Sequence, residues 1–390
     1  MRNLADIWRE GQQILATEKA RLSAIAAAPT APANDNMSLP VVCPADWQDA
    51  PVPERGWYLP GLIPARNVTL LSGDGGLGKS LAALQIGVAG ALGGLTTMGL
   101  TPTAGRVLYV GAEDEPDEFH RRISDIARHH ERTLADLRDF LLVPLADRDA
   151  ALSRPDAKGV MMPTPLMAGL ATKIATFRPA LVVLDTAADL FGGDEVKRVQ
   201  VRAFIASLRK IAIDNDCAVL LLAHPSVAGM QSGSGLSGST AWNNSVRSRL
   251  YLTATTGDDA DPDVRILAQK KSNYGARDGR VRLRWSDGVF VIDDGKPGPS
   301  ARLLDGQIDR LFLSMLSAMN RQGRLVSPNP SVSYAPTVMA RLPEAAGTSR
   351  RKLEASMNRL LNAGVIKVVT DGPPSKPRSR LWVTAEDFGG

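Results

Sequence analysis

The residues with the clearest chemistry lie between Gly73 and Ser80, where the chain follows the spacing Gly-x-x-x-x-Gly-Lys-Ser. Glycines at this spacing allow successive backbone N–H groups to turn inward, toward the oxygens of a phosphate. Lys79 is then placed to reach β- and γ-phosphates, and the hydroxyl of Ser80 to ligate Mg²⁺. The residues predicted to contact the phosphates are Gly73, Asp74, Gly75, Gly76, Leu77, Gly78, Lys79, Ser80 and Leu81.

The segments on either side of this loop fit the same interpretation. Residues 68–72 are a short apolar run, which indicates a buried strand, and residues 81–86 are apolar on most sides, which indicates a buried helix. The amino terminus of that helix adds a favourable dipole for an anion. The alternative is a glycine-rich turn that happens to precede Lys-Ser. The strand and helix around it favour the phosphate loop.

Two acidic positions follow other predicted strands. Asp185 ends the apolar run 181–184, where a carboxylate holds Mg²⁺ through water. Glu113 is the first acid after the strand 106–110, and we expect it to orient or deprotonate the attacking water, with Asp114 behind it. The alternatives are that Asp185 caps the next helix and that Glu113 begins a solvated helix.

His224 follows a third apolar run, residues 218–223. A polar side chain there can sense a γ-phosphate and pass its state to the glycine- and serine-rich segment 227–240, whose hydroxyls and amides suit phosphate contact. The alternatives are a structural histidine and a plain linker.

Four cations compete for a role at a neighbouring subunit's γ-phosphate. Arg247 and Arg249 are two residues apart and are predicted to share one face of a strand, so that Arg247 acts as an arginine finger. Lys270 and Lys271 are rivals for this role. Surface ion pairs are the alternative for each of them.

The elements that must position these residues alternate between strand and helix from the phosphate loop onward. This order predicts an α/β fold with a mainly parallel sheet, which places ligands at the carboxyl ends of its strands. Four short strands then suggest an added antiparallel edge, at residues 246–253, 264–271, 281–285 and 289–292. The apolar, turn-rich segment 56–64 either lines a base pocket or covers the sheet.

Three domains are predicted: an N-terminal helix and linker over residues 1–40, a core over 41–299, and a C-terminal domain over 300–390. In the last, helices at 307–319 and 349–363 precede a hairpin, which is the order of a winged helix. Residues 305–390 hold 12 Lys/Arg and 7 Asp/Glu, whereas residues 1–304 hold 34 of each. The whole excess of positive charge therefore lies near this domain, with three cations, residues 350–352, at the start of its second helix. This favours a nucleic-acid partner, with a packing or oligomerisation domain as the alternative.

The composition excludes several classes of protein. The two cysteines, Cys43 and Cys217, form no C-x-x-C pair, so a zinc ribbon and a disulfide framework are excluded. The amino terminus lacks the apolar core of a signal peptide, and no apolar run approaches the length of a membrane span. We therefore expect a cytoplasmic protein.

Together these motifs resemble those of the RecA-like ATPase superfamily, and more narrowly those of the RepA-type plasmid replicative helicases and related phage ATPases. The resemblance runs from about Trp57 to Trp285, and its marks are Gly73–Ser80, Gly111–Pro116, Leu184–Thr186, Leu222–His224 and Lys271–Gly275. It implies a RecA-like core, ATP as the nucleotide with Mg²⁺, and ring hexamers that bind ATP between subunits and move single-stranded DNA. By position, it implies that Glu113 is the catalytic carboxylate, Asp185 the magnesium-associated acid and His224 the coupling residue. It also implies that Arg247 is the finger, with Lys271 beside it.

The expected function is a Mg²⁺-dependent ATPase that translocates on or unwinds DNA during replication of a plasmid, phage or mobile element. An N-terminal arm and a basic C-terminal domain extend beyond the compact plasmid enzyme, so a second hypothesis is a DNA-binding regulator or loader that uses ATP as an assembly switch. A third is a small-molecule P-loop kinase, which predicts a monomer whose turnover DNA does not stimulate.

Overall fold

The computed structural model describes residues 40–224, 240–257, 260–275, 279–373 and 377–384. The predicted N-terminal helix and most of the predicted glycine- and serine-rich loop lie outside these residues. The chain divides into two compact units, Met1–Glu54 and Arg55–Gly390. In the first, the described part holds a short 3₁₀ helix at Pro44–Trp47. All elements labelled below belong to the second unit.

A nine-stranded sheet forms the centre of the second unit. Its strands run in the spatial order β13-β12-β11-β10-β3-β9-β8-β4-β5. The strands are β3 (Val68–Gly73), β4 (Val107–Gly111), β5 (Phe140–Pro144), β8 (Leu181–Asp185), β9 (Ala218–Ala223), β10 (Ser248–Ala254), β11 (Val264–Ser272), β12 (Arg280–Ser286) and β13 (Val289–Ile292).

Six neighbouring strands of this sheet, from β10 to β5, pair in parallel, and β11, β12 and β13 extend it in antiparallel pairs. The predicted α/β fold is thus confirmed. The predicted antiparallel edge is confirmed for β11, β12 and β13, whereas the first strand predicted for it, β10, pairs in parallel with β3. The parallel strands are almost continuously apolar because helices cover both faces. Two pairs of short strands lie outside the sheet: β1 (Trp57–Leu59) with β2 (Ile63–Pro64), and β6 (Ser153–Pro155) with β7 (Met161–Pro163).

Two hydrophobic clusters, one on each face of the sheet, fix the layers. On one face lie α1 (Lys79–Ala91) and α2 (Pro116–His129). The other face carries α3 (Pro165–Phe177), α4 (Ala187–Leu190), α5 (Arg198–Asp214) and α6 (Thr240–Ser245). Helix α1 is buried along most of its length, as its nearly uniform apolar sequence predicts.

The segment 57–64 covers the sheet, the second of its two predicted roles. Tyr58, Leu59 and Ile63 are buried in the cluster of α1, and the Tyr58 hydroxyl donates to the carbonyl of Ile86, in the second half of that helix. None of the residues of this segment lines the cavity at the phosphate loop.

A third, separate cluster organises the chain after the sheet. It joins α7 (Pro299–Arg321), α8 (Ala335–Met339), α9 (Arg350–Asn362) and the hairpin β14 (Ile366–Asp371) with β15 (Arg378–Val383). The predicted order of helix, helix and hairpin is present, with α8 added. Helix α7 begins eight residues before the predicted Gln307, because Pro299 suits the first turn and Asp263 accepts from the N–H of Ser300.

Among the described residues, no helix is both long enough and apolar enough to cross a membrane. Within the same residues, no group of three or more His, Cys, Asp or Glu side chains is arranged to hold a metal ion.

Candidate nucleotide site

The phosphate loop joins the carboxyl end of β3 to the amino terminus of α1. Gly76 and Gly78 have φ values of 73° and 89°, a left-handed conformation that glycine adopts without steric cost. At Gly78 a Cβ atom would also lie 2.8 Å from the ring of Phe290. The loop therefore has the backbone form that turns N–H groups toward a common centre, and Gly78 has a second reason to be glycine.

Lys79 folds back over this loop. Its Nζ donates to the carbonyl oxygens of Gly73, at 2.8 Å, and Asp74, at 3.1 Å. Burial lowers the pKa of Lys79 from its ordinary value, and the negative charges of Glu113 and Asp185 oppose that shift. The ammonium group is thus held among acids at the mouth of the loop, where a phosphate would replace its carbonyl partners.

Asp185 ends β8 and is almost fully buried, with 2% of its surface exposed. Its Oδ2 accepts a 2.6 Å hydrogen bond from the hydroxyl of Tyr109, and its Oδ1 has no hydrogen-bond partner among the described residues. Burial raises the pKa of Asp185 to about 6, while hydrogen bonds from Tyr109 and Ser80 act in the opposite direction. A buried carboxylate oxygen without a partner, beside a serine hydroxyl, matches the oxygen donors that Mg²⁺ takes.

Glu113 and Asp114 follow β4, the strand next to β8, and have different surroundings. Asp114 Oδ2 accepts a 2.6 Å hydrogen bond from Nη1 of Arg122, within an ion pair. Among the described residues, Glu113 forms no ion pair with an arginine or lysine: Thr186 Oγ1 donates to its Oε1 at 3.5 Å, and nearly half of its side chain is exposed. Of the two acids, Glu113 is the one that is available to water.

His224 is the first residue after β9, the strand between β3 and β8. Its Nδ1 lies 3.3 Å from Nζ of Lys79, and its Nε2 lies 3.4 Å from Oε1 of Glu113. The imidazole therefore joins the lysine of the phosphate loop to the acid predicted as the base. Phosphate loop, Glu113, Asp185 and His224 all meet at the carboxyl edge of the sheet, as their positions after apolar runs predict.

A cavity of about 500 Å³ opens at this edge. The phosphate loop forms its floor, and Glu113, Asp114, Arg122 and His224 line one side. The opposite side comes from the antiparallel extension, through Asp263, Arg265, Trp285 and Phe290.

The predicted cations lie at the opposite, amino edge of the sheet. In the register of β10 with β3, Ser248 pairs with Thr69 and Leu252 with Gly73, so Arg247 lies about five residues, or roughly 16 Å, from the end of β3. Lys271 pairs with Arg249 at the same edge, and its Nζ donates to the carbonyl of Asn243 at 2.7 Å. Neither Arg247 nor Lys271 contacts the phosphate loop of its own chain.

The prediction that Arg247 and Arg249 share a strand face is wrong. Strand β10 begins at Ser248, so Arg247 precedes it and is exposed, whereas Arg249 lies inside the strand and is buried. Lys270, the other rival, lies over the ring of Tyr251.

Several residues that were not predicted contribute to the site, and four of them bear on its chemistry. Tyr109 orients Asp185, Arg122 engages Asp114, and Arg265 and Trp285 line the cavity. For Tyr109, the sequence did contain a signal, because its hydroxyl stands within the otherwise apolar run 107–110. The other three depend on how helices and strands pair, which local sequence does not reveal.

Two comparisons with known proteins found matches to this chain. A family model described as an AAA domain matches residues 35–230, half of the chain. The chain is also similar to the crystal structure of the RadB recombinase, at 16% sequence identity and a TM-score of 0.44, over 60% of this chain and 93% of that one. The matched family segment contains the phosphate loop, Glu113, Asp185 and His224. The chain belongs to the AAA domain family.

Proposed function

We propose that this protein is a Mg²⁺-dependent ATPase that acts on DNA. The observation that carries the proposal is the contact chain from Lys79 through His224 to Glu113, beside the buried carboxylate of Asp185. In this assignment the loop amides and Lys79 bind the phosphates, Ser80 and Asp185 hold Mg²⁺, and Glu113 accepts a proton from the attacking water. The metal supplies charge neutralisation on the β- and γ-phosphate oxygens.

The positions of Arg247 and Lys271 support assembly of several copies, with a hexameric ring as the expected form. A cation at the amino edge of the sheet cannot serve its own phosphate loop and needs a second chain whose nucleotide faces it. We assign Arg247 to that role, with Lys271 beside it. The mass of the protein should therefore rise when a non-hydrolysable ATP analogue and Mg²⁺ are added.

A mixing experiment tests this shared site. Lys79→Ala and Arg247→Ala should each be inactive alone. Their mixture should recover part of the turnover, because the Lys79→Ala chain still presents Arg247 to its neighbour. Arg106→Ala, which removes an exposed cation at the same edge of the sheet, is the control and should stay active. A mixture without recovery would contradict a shared site.

The C-terminal cluster supports contact with DNA. Ser349 caps α9 by accepting from the N–H of Lys352, which leaves Arg350 exposed at the start of that helix. In the hairpin, the Arg380 guanidinium lies 5.0 Å from the ring centroid of the partly exposed Trp382. Cations at a helix start and an aromatic side chain on a basic hairpin are suited to phosphates and bases.

The salt dependence of DNA binding tests this contact. Arg350→Ala should weaken binding to DNA of any sequence to a similar extent. It should also reduce the slope of log affinity against log salt concentration by about one. Arg310→Ala, at an exposed position on α7, is the matched control and should leave the slope unchanged. Equal effects of the two changes would contradict a specific role for α9.

We expect the work done with ATP to be translocation or unwinding of single-stranded DNA, in replication of a plasmid, phage or other mobile element. One observation favours the alternative of an ATP-switched regulator or loader. Arg351 and Lys352 line a cleft of about 320 Å³ between α9 and the strand extension, so duplex DNA on α9 would compete with that contact. A strand-displacement assay with Lys79→Ala as control decides: ATP turnover without displacement favours the switch.

A further inference from the structure

The antiparallel extension, strands β11 to β13, lines the cavity on the side of β3 opposite to the strands that precede Glu113 and His224. Phe290, on β13, packs against the phosphate loop at Gly78. Its cross-strand partner is Trp285, on β12, so the two aromatic side chains are direct neighbours. Trp285 lies one strand nearer the centre of the sheet than Phe290 and lines the same cavity as the loop that binds the phosphates.

Trp285 is unusually exposed for its position. Leu283, two residues earlier on the same face of β12, is fully buried under the cluster of α1, whereas 46% of Trp285 is exposed. The indole thus continues an apolar face into the open cavity. A large aromatic surface at a cavity wall is suited to stacking with a flat ligand.

Arg265 completes this side of the cavity. It pairs with Leu283 in the register of β11 and β12, which places it diagonally next to Trp285 on the same face. Its Nε donates to the carbonyl of Leu77 at 3.3 Å, so its guanidinium group is held against the tip of the phosphate loop. A guanidinium group fixed in this way can stack on a ring through a cation–π contact.

The γ-phosphate and the base of a bound nucleoside triphosphate lie at opposite ends of the molecule and must point to different sides of the cavity. In the proposed site, the γ-phosphate lies toward Glu113 and His224. The loop amides hold the phosphates at the floor, and the base then extends toward the remaining side, where Trp285 and Arg265 lie.

We propose that Trp285 is the stacking platform for the nucleobase, with Arg265 fixing the base edge nearest the phosphate loop. This inference rests on the proposed nucleotide site and adds the residues that hold the other half of its ligand. Because stacking engages the ring and not the phosphates, loss of Trp285 affects the affinity for a nucleotide and spares the affinity for its phosphate chain.

Calorimetric titration separates these contributions when a non-hydrolysable ATP analogue and inorganic tripolyphosphate are compared, each with Mg²⁺. Trp285→Ala should weaken binding of the analogue about ten- to hundredfold and leave the affinity for tripolyphosphate within about twofold. Trp285→Phe should keep most of the affinity because it retains a ring. Trp47→Ala removes another exposed tryptophan, one that does not line the cavity, and should change neither ligand's affinity.

A second measurement uses the indole itself. The analogue should quench tryptophan emission in the wild type and in Trp47→Phe, and most of this quenching should disappear in Trp285→Phe, which retains an aromatic ring on the strand.

Equal loss of analogue and tripolyphosphate in Trp285→Ala, or full quenching in Trp285→Phe, would overturn the base assignment and leave the ATPase proposal standing. A wild-type protein that binds neither ligand would overturn both.

Discussion

The ammonium nitrogen of Lys79 lies 3.3 Å from Nδ1 of His224, although 145 positions separate the two residues in the chain. The contact exists because β9 lies directly beside β3, so that the carboxyl end of β9 meets the phosphate loop. The other imidazole nitrogen faces Glu113. The His224 imidazole therefore contacts both the phosphate-binding lysine and Glu113, and it can transmit a change at the phosphates to the segment that follows β9.

Replacement of the His224 imidazole should spare nucleotide binding and impair both hydrolysis and its stimulation by DNA. We expect His224→Ala to bind ATP within about threefold of the wild type, to hydrolyse it at least about tenfold more slowly, and to lose stimulation by single-stranded DNA. His120→Ala, on the exposed side of α2, is the control and should behave as the wild type. Stimulation that survives in His224→Ala would refute the coupling role.

The buried carboxylate of Asp185 should make the nucleotide-free protein less stable at neutral pH. Its folded pKa, raised to about 6, exceeds the ordinary 3.8, so the folded state holds the proton more tightly. The contribution of Asp185 to stability is therefore greatest below pH 3.8 and is lost as the pH rises through 6, by up to about 3 kcal/mol.

Asp185→Asn removes this penalty and can still accept the Tyr109 hydrogen bond. Its free energy of unfolding should exceed that of the wild type by up to about 3 kcal/mol at pH 7.5 and should match it near pH 4. Urea denaturation at both pH values measures the difference, with the exposed Asp214→Asn as control. A gain that is the same at both pH values would contradict the assigned cause.

Two glycines of the phosphate loop should respond differently to alanine. Gly78→Ala forces a side chain into a left-handed conformation and against Phe290, and we expect it to cost about 1–3 kcal/mol of folding free energy. Gly75→Ala meets no atom within 4 Å and should cost less than about 0.5 kcal/mol. The free energies of unfolding of the two nucleotide-free variants, measured by chemical denaturation, give the comparison. Equal losses would show that the loop has another conformation.

A buried ion-pair network supports the strand extension. Arg284, with 11% of its side chain exposed, pairs with Asp261 at 2.7 Å and with Asp293 at 2.6 Å, and Asp261 also accepts from the N–H of Gly298. Removal of Arg284 leaves Asp261 buried without this cation and leaves Asp293 with the exposed Arg282 alone, so Arg284→Ala should cost about 3–5 kcal/mol.

The neighbouring Arg282 is a matched control for this network. It also pairs with Asp293, but 55% of its side chain is exposed, so Arg282→Ala should cost no more than about 1 kcal/mol. Chemical denaturation of the two variants gives the comparison. Similar losses would mean that the burial of Arg284 does not determine its contribution.

Local sequence was sufficient to predict the phosphate loop and the ends of the strands that carry Glu113, Asp185 and His224. Each follows an uninterrupted apolar run, and a parallel sheet collects such ends at one edge. The distances between them depend on the order β3-β9-β8-β4, which no single segment contains. Arg265 and Trp285 enter the site only through the register of the antiparallel extension, so their neighbouring residues carried no signal of it.

The predicted elements differ from the observed ones mainly where long-range contacts act. Helix α7 starts at Pro299 because Asp263 accepts from its first turn. Strand β5 and helix α3 were not predicted, since β5 is an edge strand with only partly buried residues beyond Phe140, and α3 buries only three side chains.

We expect Glu113 to support hydrolysis of the ATP that the phosphate loop holds. Asp114→Asn is the matched control, because that neighbouring acid is paired with Arg122. The decisive measurement is single-turnover hydrolysis of ATP with Mg²⁺. We expect Glu113→Gln to bind ATP normally and to hydrolyse it about 10²–10⁴-fold more slowly, while Asp114→Asn stays within about tenfold of the wild type. Hydrolysis by Glu113→Gln at the wild-type rate would contradict this role of Glu113.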